Sequence, residues 1–245
     1  MAAPPETGDR SPTGRDSPLR HHRRPYGFLW RRSDRERGQG IAEFALIWPI
    51  FVVCVMALLE FGVAFNNLLT INYASRNAAL LGAEAGNNQC ADVIILTSVE
   101  KDVTAPAQPN RIASVAIYYS DVNGNQIPDI GQSGADTWTR SGSTNCTFQG
   151  TTYTVPYTLS AANTGYPYWD RCNQINGCAT LSVCGAGQAS TCHSTLDTIG
   201  VKITYNYSFI TPLSSAITLL RGNGNFNGGN WTFVQSQQMR MEPIL

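Results

Sequence analysis

From Phe44 to Phe65 the chain is apolar apart from Glu60 (FALIWPIFVVCVMALLEFGVAF). A run of that length crosses a bilayer as one helix. Its flanks are unequal. Arg20 to Arg37 carry seven arginines against two acids, whereas Asn66 and Asn67 on the other side are uncharged. Cytoplasmic flanks collect arginine and lysine, so the N-terminus is expected in the cytoplasm and everything after about residue 66 outside it. A single-pass cell-membrane protein with an extracytoplasmic C-terminal domain follows.

The membrane run is longer than a signal-peptide core, and no small-x-small signal-peptidase site follows it. A processing site is therefore expected before the run. There the chain reads Gly38-Gln39-Gly40-Ile41-Ala42-Glu43-Phe44: a glycine, four residues, a glutamate, an aromatic and then the membrane segment. An ionisable group at the mouth of an apolar run is costly and usually functional. This pattern resembles that of type IV prepilin processing. The wider stretch RGQGIAEFALIWPIF, with Pro49 six residues after Glu43, resembles the opening of TadE-like proteins of tight-adherence pilus systems.

The resemblance spans residues 37–86, with a weaker echo at the C-terminus. It implies cleavage between Gly38 and Gln39 by a prepilin peptidase, and contacts with other pilin-like or pilus-assembly proteins. It also implies that Glu43, fifth residue of the cleaved chain and followed by Phe44, pairs with the N-terminal amine of a neighbouring subunit. A carboxylate in a first helical turn is equally what the helix dipole favours. Glu60 reads as a solvated residue near the outer end of the span.

Charge is unevenly placed. The first 37 residues hold nine of the seventeen basic groups, while residues 66–245 hold eight basic against ten acidic. The exported part is nearly neutral, which argues against nucleic acid as a partner. Cys54 lies inside the span. Cys90, Cys146, Cys172, Cys178, Cys184 and Cys192 all follow it, an even number on the side where disulfides persist. Their spacing lacks the C-x2-C to C-x4-C pairs of zinc ribbons. Disulfides are expected, in a pairing that spacing alone leaves open.

The chain divides into a disordered basic leader (1–38), a transmembrane helix (39–65), its amphipathic continuation (66–86) and an exported domain (87–245). The leader is rich in proline, serine and charge, and has too little apolar surface to order itself. The helix is expected from about Gly40, with Pro49 as a kink. In the continuation, Leu69, Tyr73, Asn77 or Ala78, and Leu81 share one face, while its small residues suit packing on a sheet. Residues 91–103 fit a short helix or a strand, and 112–120 a strand. Residues 131–198 read as a disulfide-rich insertion with short strand candidates such as 152–159, rather than a regular core.

The strongest strand signal is 199–210, where Ile199, Val201, Ile203, Tyr205, Tyr207 and Phe209 alternate with polar residues or glycine. After Thr211-Pro212 come a short turn or helix over 214–220, a glycine-rich loop and a last strand at 231–241. The fold class expected is α+β: a long N-terminal spine helix on a small antiparallel sheet, pilin-like, with a cysteine-rich insertion.

One loop carries metal-like spacing. Asp121, Asn123, Asn125, the Ile127 carbonyl and Asp129 fall at calcium-loop positions and resemble the loops of thrombospondin type 3-like repeats. The same residues favour an Asn-Gly hairpin turn. No other cofactor is expected. The region after the span has one histidine, His193, and neither a G-x-S-x-G nor an H-E-x-x-H motif, so no enzyme is expected. The alternative to a pilus-assembly role is an anchored module that recognises a carbohydrate or cell surface. Trp138, Tyr153, Tyr157, Tyr166, Tyr168 and Trp169 in the insertion would serve it.

Overall fold

The computed structural model describes residues 35–127, 134–174, 196–212 and 230–243. The leader up to residue 34, Asp129, Cys178, Cys184, Cys192, the expected turn at 214–220 and most of the glycine-rich loop lie outside these residues. The chain divides into two compact units, Met1–Pro49 and Ile50–Leu245. The described part of the first, residues 35–49, is helical throughout and belongs to helix α1 (Arg35–Ala85), which has Pro49 in its interior.

In the second unit, α1 is followed by α2 (Ala91–Asp102), β1 (Ile112–Tyr119), β2 (Ala135–Thr139), β3 (Thr144–Phe148), β4 (Thr151–Val155), β5 (Thr158–Thr164), β6 (Thr198–Ser208) and β7 (Asn230–Arg240). Five strands form one sheet in the order β5-β2-β1-β6-β7, and β3 and β4 form a separate hairpin. All the pairings are antiparallel. A long apolar helix with an antiparallel sheet is the α+β arrangement the sequence pattern implied.

The period-two segment is an interior strand of the sheet, β6, paired with β1 on one side and β7 on the other. Ile199, Val201, Ile203, Tyr205 and Tyr207 of β6 are all fully buried, and the intervening Lys202, Thr204 and Asn206 are not. Alternation this strict fixes the register, because a one-residue slip would turn the whole apolar set toward water. Residues 91–103 resolve as helix: Val93, Ile95, Leu96 and Val99 are buried at three- and four-residue steps. Full burial of each such side chain contributes roughly 1.5–3 kcal/mol.

The face that α1 buries is its small-residue face. Leu69 and Tyr73 are exposed. Buried are Glu60, Ala64, Asn67, Ile71, Ala74, Ser75, Ala78, Ala79, Gly82 and Ala83. This stripe repeats at three and four residues, and its small side chains let the helix axis come close to the sheet. At Gly82 an added Cβ would stand 2.9 Å from Ile95 Cδ1 and 3.0 Å from Ile199 Cδ1, so helix α2 and strand β6 both press on this point. The helix ends at Gly86, whose φ of +56° suits glycine and whose N–H donates to the Gly82 carbonyl at 3.1 Å.

The insertion is more regular than expected. Within 131–198, β2 and β5 extend the main sheet beyond β1, and the β3–β4 hairpin packs against α2. The Cys90–Cys146 disulfide fastens that hairpin to the start of α2. Cys172 is disulfide-bonded as well. Polar contacts complete the attachment: Arg140 pairs with Glu100 of α2 and donates to the Pro109 carbonyl, while Tyr157 donates to Glu100 at 2.6 Å.

Candidate processing and assembly site

The expected cleavage and assembly residues lie together on the first turns of α1. Gly38, Gln39, Glu43 and Phe44 are all exposed. A Cβ built at Gly38 would meet nothing within 4 Å among the described residues. Gln39 Nε2 donates to Glu43 Oε1 at 2.9 Å, one helical turn away. The Phe44 ring rests near the Trp48 ring, 5.4 Å between centroids. Residue 39 and the Glu43 carboxylate thus share one edge of the helix, as spacing of four residues requires.

Further along α1, Glu60 is not the solvated helix-end residue the sequence suggested. It is 3% exposed. Its carboxylate accepts from the Tyr207 hydroxyl, from the Ile210 N–H at 3.1 Å and from the Thr211 N–H at 2.8 Å. Strand β6 ends here, and the carboxylate takes up backbone donors left without a strand partner. A lone acid inside an apolar run was the signal available in the sequence. What it lacked was the location of the donors, some 150 residues later in the chain. Asn72 adds a second tie to the sheet, donating to Gln235 on β7 at 3.1 Å.

The outward face of α1 mixes large apolar residues with the exposed Asn66, Arg76 and Glu84. Phe65, Leu69, Tyr73 and Leu80 are exposed, on the side of the helix opposite its buried stripe.

The 121–127 segment is a closed turn. Asp121 Oδ1 accepts from the Asn123 and Asn125 N–H groups, each at 2.8 Å, and Oδ2 from Asn125 Nδ2 at 2.9 Å. These bonds, the Asn125 side chain first among them, hold the Asp121 carboxyl below its usual range. The Ile127 N–H donates to the Tyr119 carbonyl at 2.9 Å, so its own backbone closes the turn against β1. Among the described residues no three His, Cys, Asp or Glu side chains gather as a metal group.

The aromatic residues of the insertion do not form one surface. Trp138, Tyr157 and Tyr166 are buried in the core, Tyr153 packs partly against it, and Trp169 is exposed. Their burial turns most of this set from a binding platform into core.

A charge cluster with no local sequence signature joins α2, β2 and the residues before β6. The fully buried Arg171 pairs with Asp92 of α2, donates to the Tyr166 carbonyl at 3.1 Å and lies 5.2 Å from the Tyr166 ring centroid. Asp197 Oδ2 accepts from the Tyr166 hydroxyl at 2.8 Å and from the Cys172 N–H at 2.9 Å. Asp136 on β2 accepts from the Tyr166 N–H at 3.1 Å. Burial, reinforced by the charge of Asp92, pushes the Asp136 carboxyl up to about 6. Asp92 pairs with the guanidinium while Asp136 and Asp197 hold Tyr166, and together these contacts tie α2, β2 and the segment before β6.

These features define a class: an α+β protein with one N-terminal helix long and apolar enough to cross a membrane. Residues 38–80 match the family model described as TadE-like protein, the stretch on which the sequence resemblance rests. Comparison with curated proteins and with solved structures gave no match.

Proposed function

We propose that this chain is a membrane-anchored pseudopilin or minor pilin that assists assembly of a tight-adherence-type pilus or a related secretion apparatus. The observation that carries the reading is the TadE-like match over residues 38–80, which takes in Gly38, Glu43, Phe44 and the whole membrane run. The role is structural rather than catalytic and works through helix contacts. In this reading the arginine-rich flank keeps the N-terminus in the cytoplasm, where a prepilin peptidase cuts between Gly38 and Gln39.

Cutting there makes Gln39 the new N-terminus and leaves Glu43 one turn away from it. Among the described residues, the Glu43 carboxylate accepts from a neutral partner, the Gln39 amide. A cationic amine from a neighbouring copy is the stronger partner near a bilayer, where an unpaired carboxylate is costly. The exposed Phe65, Leu69, Tyr73 and Leu80 supply apolar side chains for packing against another helix beyond the membrane.

Replacing the glutamate separates processing from assembly. In cells carrying the pilus system, the Glu43→Ala protein should be cleaved like wild type yet fail to co-purify with the other pilin-like subunits. Normal co-assembly of the cleaved variant would remove Glu43 from the mechanism.

A further inference from the structure

We propose that the end of the β6–β7 ribbon is seated in the interfacial layer of the lipid bilayer, with Phe209, Ile210 and Trp231 as its lipid contacts. This rests on the reading that α1 spans a membrane. Glu60 is the only acidic or basic side chain between Phe44 and Phe65, and among the described residues its partners are Tyr207 of β6 and, just past the strand, Ile210 and Thr211. The end of β6 therefore lies at the same depth as residue 60 of the helix.

That depth follows from sequence position. The apolar run ends at Phe65, only about 8 Å beyond Glu60 at the standard rise. Residue 60 therefore lies near the outer limit of the hydrocarbon. A carboxylate with two backbone N–H donors and a hydroxyl belongs at that limit, where chains give way to headgroups.

The ribbon shows at this level the side chains an interface favours. Trp231 stands opposite Tyr207 in the β6–β7 register, and its ring meets the Phe209 ring edge-on at 4.9 Å. Ile210 is 63% exposed and Trp231 46% exposed, next to a Phe61 that is also exposed on the helix. Tryptophan concentrates at the membrane–water boundary, while an exposed Trp-Phe-Ile group in water would be an aggregation liability. Arg111 donates to the Ser208 carbonyl at 3.3 Å and so brings a cation to the same end, suited to lipid phosphate. The continuity of this apolar end with the membrane helix favours lipid over a second copy as the occupant.

The test uses the full chain in phosphatidylcholine vesicles containing lipids brominated either near the headgroup or near the chain ends. The Trp231 signal is the tryptophan fluorescence lost in Trp231→Phe, a change that keeps an aromatic ring against Phe209. The Trp48 signal, obtained in the same way with Trp48→Phe, reports on the spanning helix. Expected is a Trp231 signal that loses at least half its intensity to headgroup-proximal bromine and much less to bromine at the chain ends. In Ile210→Asp, which alters only an exposed side chain, the Trp231 signal should become open to aqueous iodide. A quenched Trp48 beside a Trp231 untouched by either lipid overturns the seating and leaves the spanning helix standing. A Trp231 shielded from both bromine and iodide also overturns it, in favour of a second copy. If Trp48 itself escapes both lipids, the spanning helix fails and the seating with it.

Discussion

Asp136→Asn should stabilise the protein at neutral pH and not at acid pH. Asp136 is 2% exposed, sits near the charge of Asp92 and accepts one hydrogen bond from the Tyr166 N–H. Its folded-state pKa, about 6, lies above the unfolded value of 3.8. The native state therefore holds the proton more tightly than the unfolded chain. By linkage, this carboxyl favours the fold fully below pH ~4, and the contribution is lost as pH rises through about 6. A shift of that size, at 1.36 kcal/mol for each pH unit, is worth about 3 kcal/mol as an upper estimate. Asparagine keeps the acceptor oxygen for Tyr166 and cannot ionise. The variant and wild type should thus be nearly equal at pH 4, and the variant more stable by up to about 3 kcal/mol at pH 7. Guanidinium unfolding of the full chain in detergent, followed by near-ultraviolet circular dichroism, measures the gap at each pH. A gap independent of pH, or a variant less stable than wild type at pH 7, would refute the argument.

Gly82→Val tests the close approach of α1 to α2 and β6. Its Cβ would collide with Ile95 and Ile199, and overpacking of this kind should cost about 1–3 kcal/mol in the same unfolding assay, whereas Ala substituted at the exposed Gly62 should not destabilise. Joint replacement of Cys90 and Cys146 by serine should lower stability by roughly 2–4 kcal/mol, and the hairpin amides of β3 and β4 should lose hydrogen-exchange protection before those of β6.

The parts of the fold set by local periodicity were legible in the sequence. Alternation over 199–210 is enough to place β6, and an apolar run preceded by arginines marks the helix long enough to cross a membrane. The small residues of α1 suit packing on a sheet, and burial there is decided by how close the helix axis comes to the sheet, which rewards Ala64, Ala78 and Gly82 over the larger Leu69 and Tyr73. Glu60 was read as solvated because its donors, the Tyr207 hydroxyl and the Ile210 and Thr211 amides, lie far away in sequence. The same holds for Arg171. A lone arginine in a cysteine-rich stretch reads as surface, and only the meeting of α2, β2 and the β6 approach supplies the carboxylates that make its burial tolerable.

The N-terminal residue of the protein extracted from membranes tests the pseudopilin reading most directly. In cells with an active prepilin peptidase, sequencing should begin at Gln39, with mass about 4 kDa below the full-length chain, from ~110 Da for each residue removed. The bulky substitution Gly38→Leu should keep the precursor at full mass, because a peptidase working at the membrane surface needs a small residue at the bond, where the backbone can be approached closely. A wild-type protein that retains Met1 or Ala2 in such cells contradicts the account.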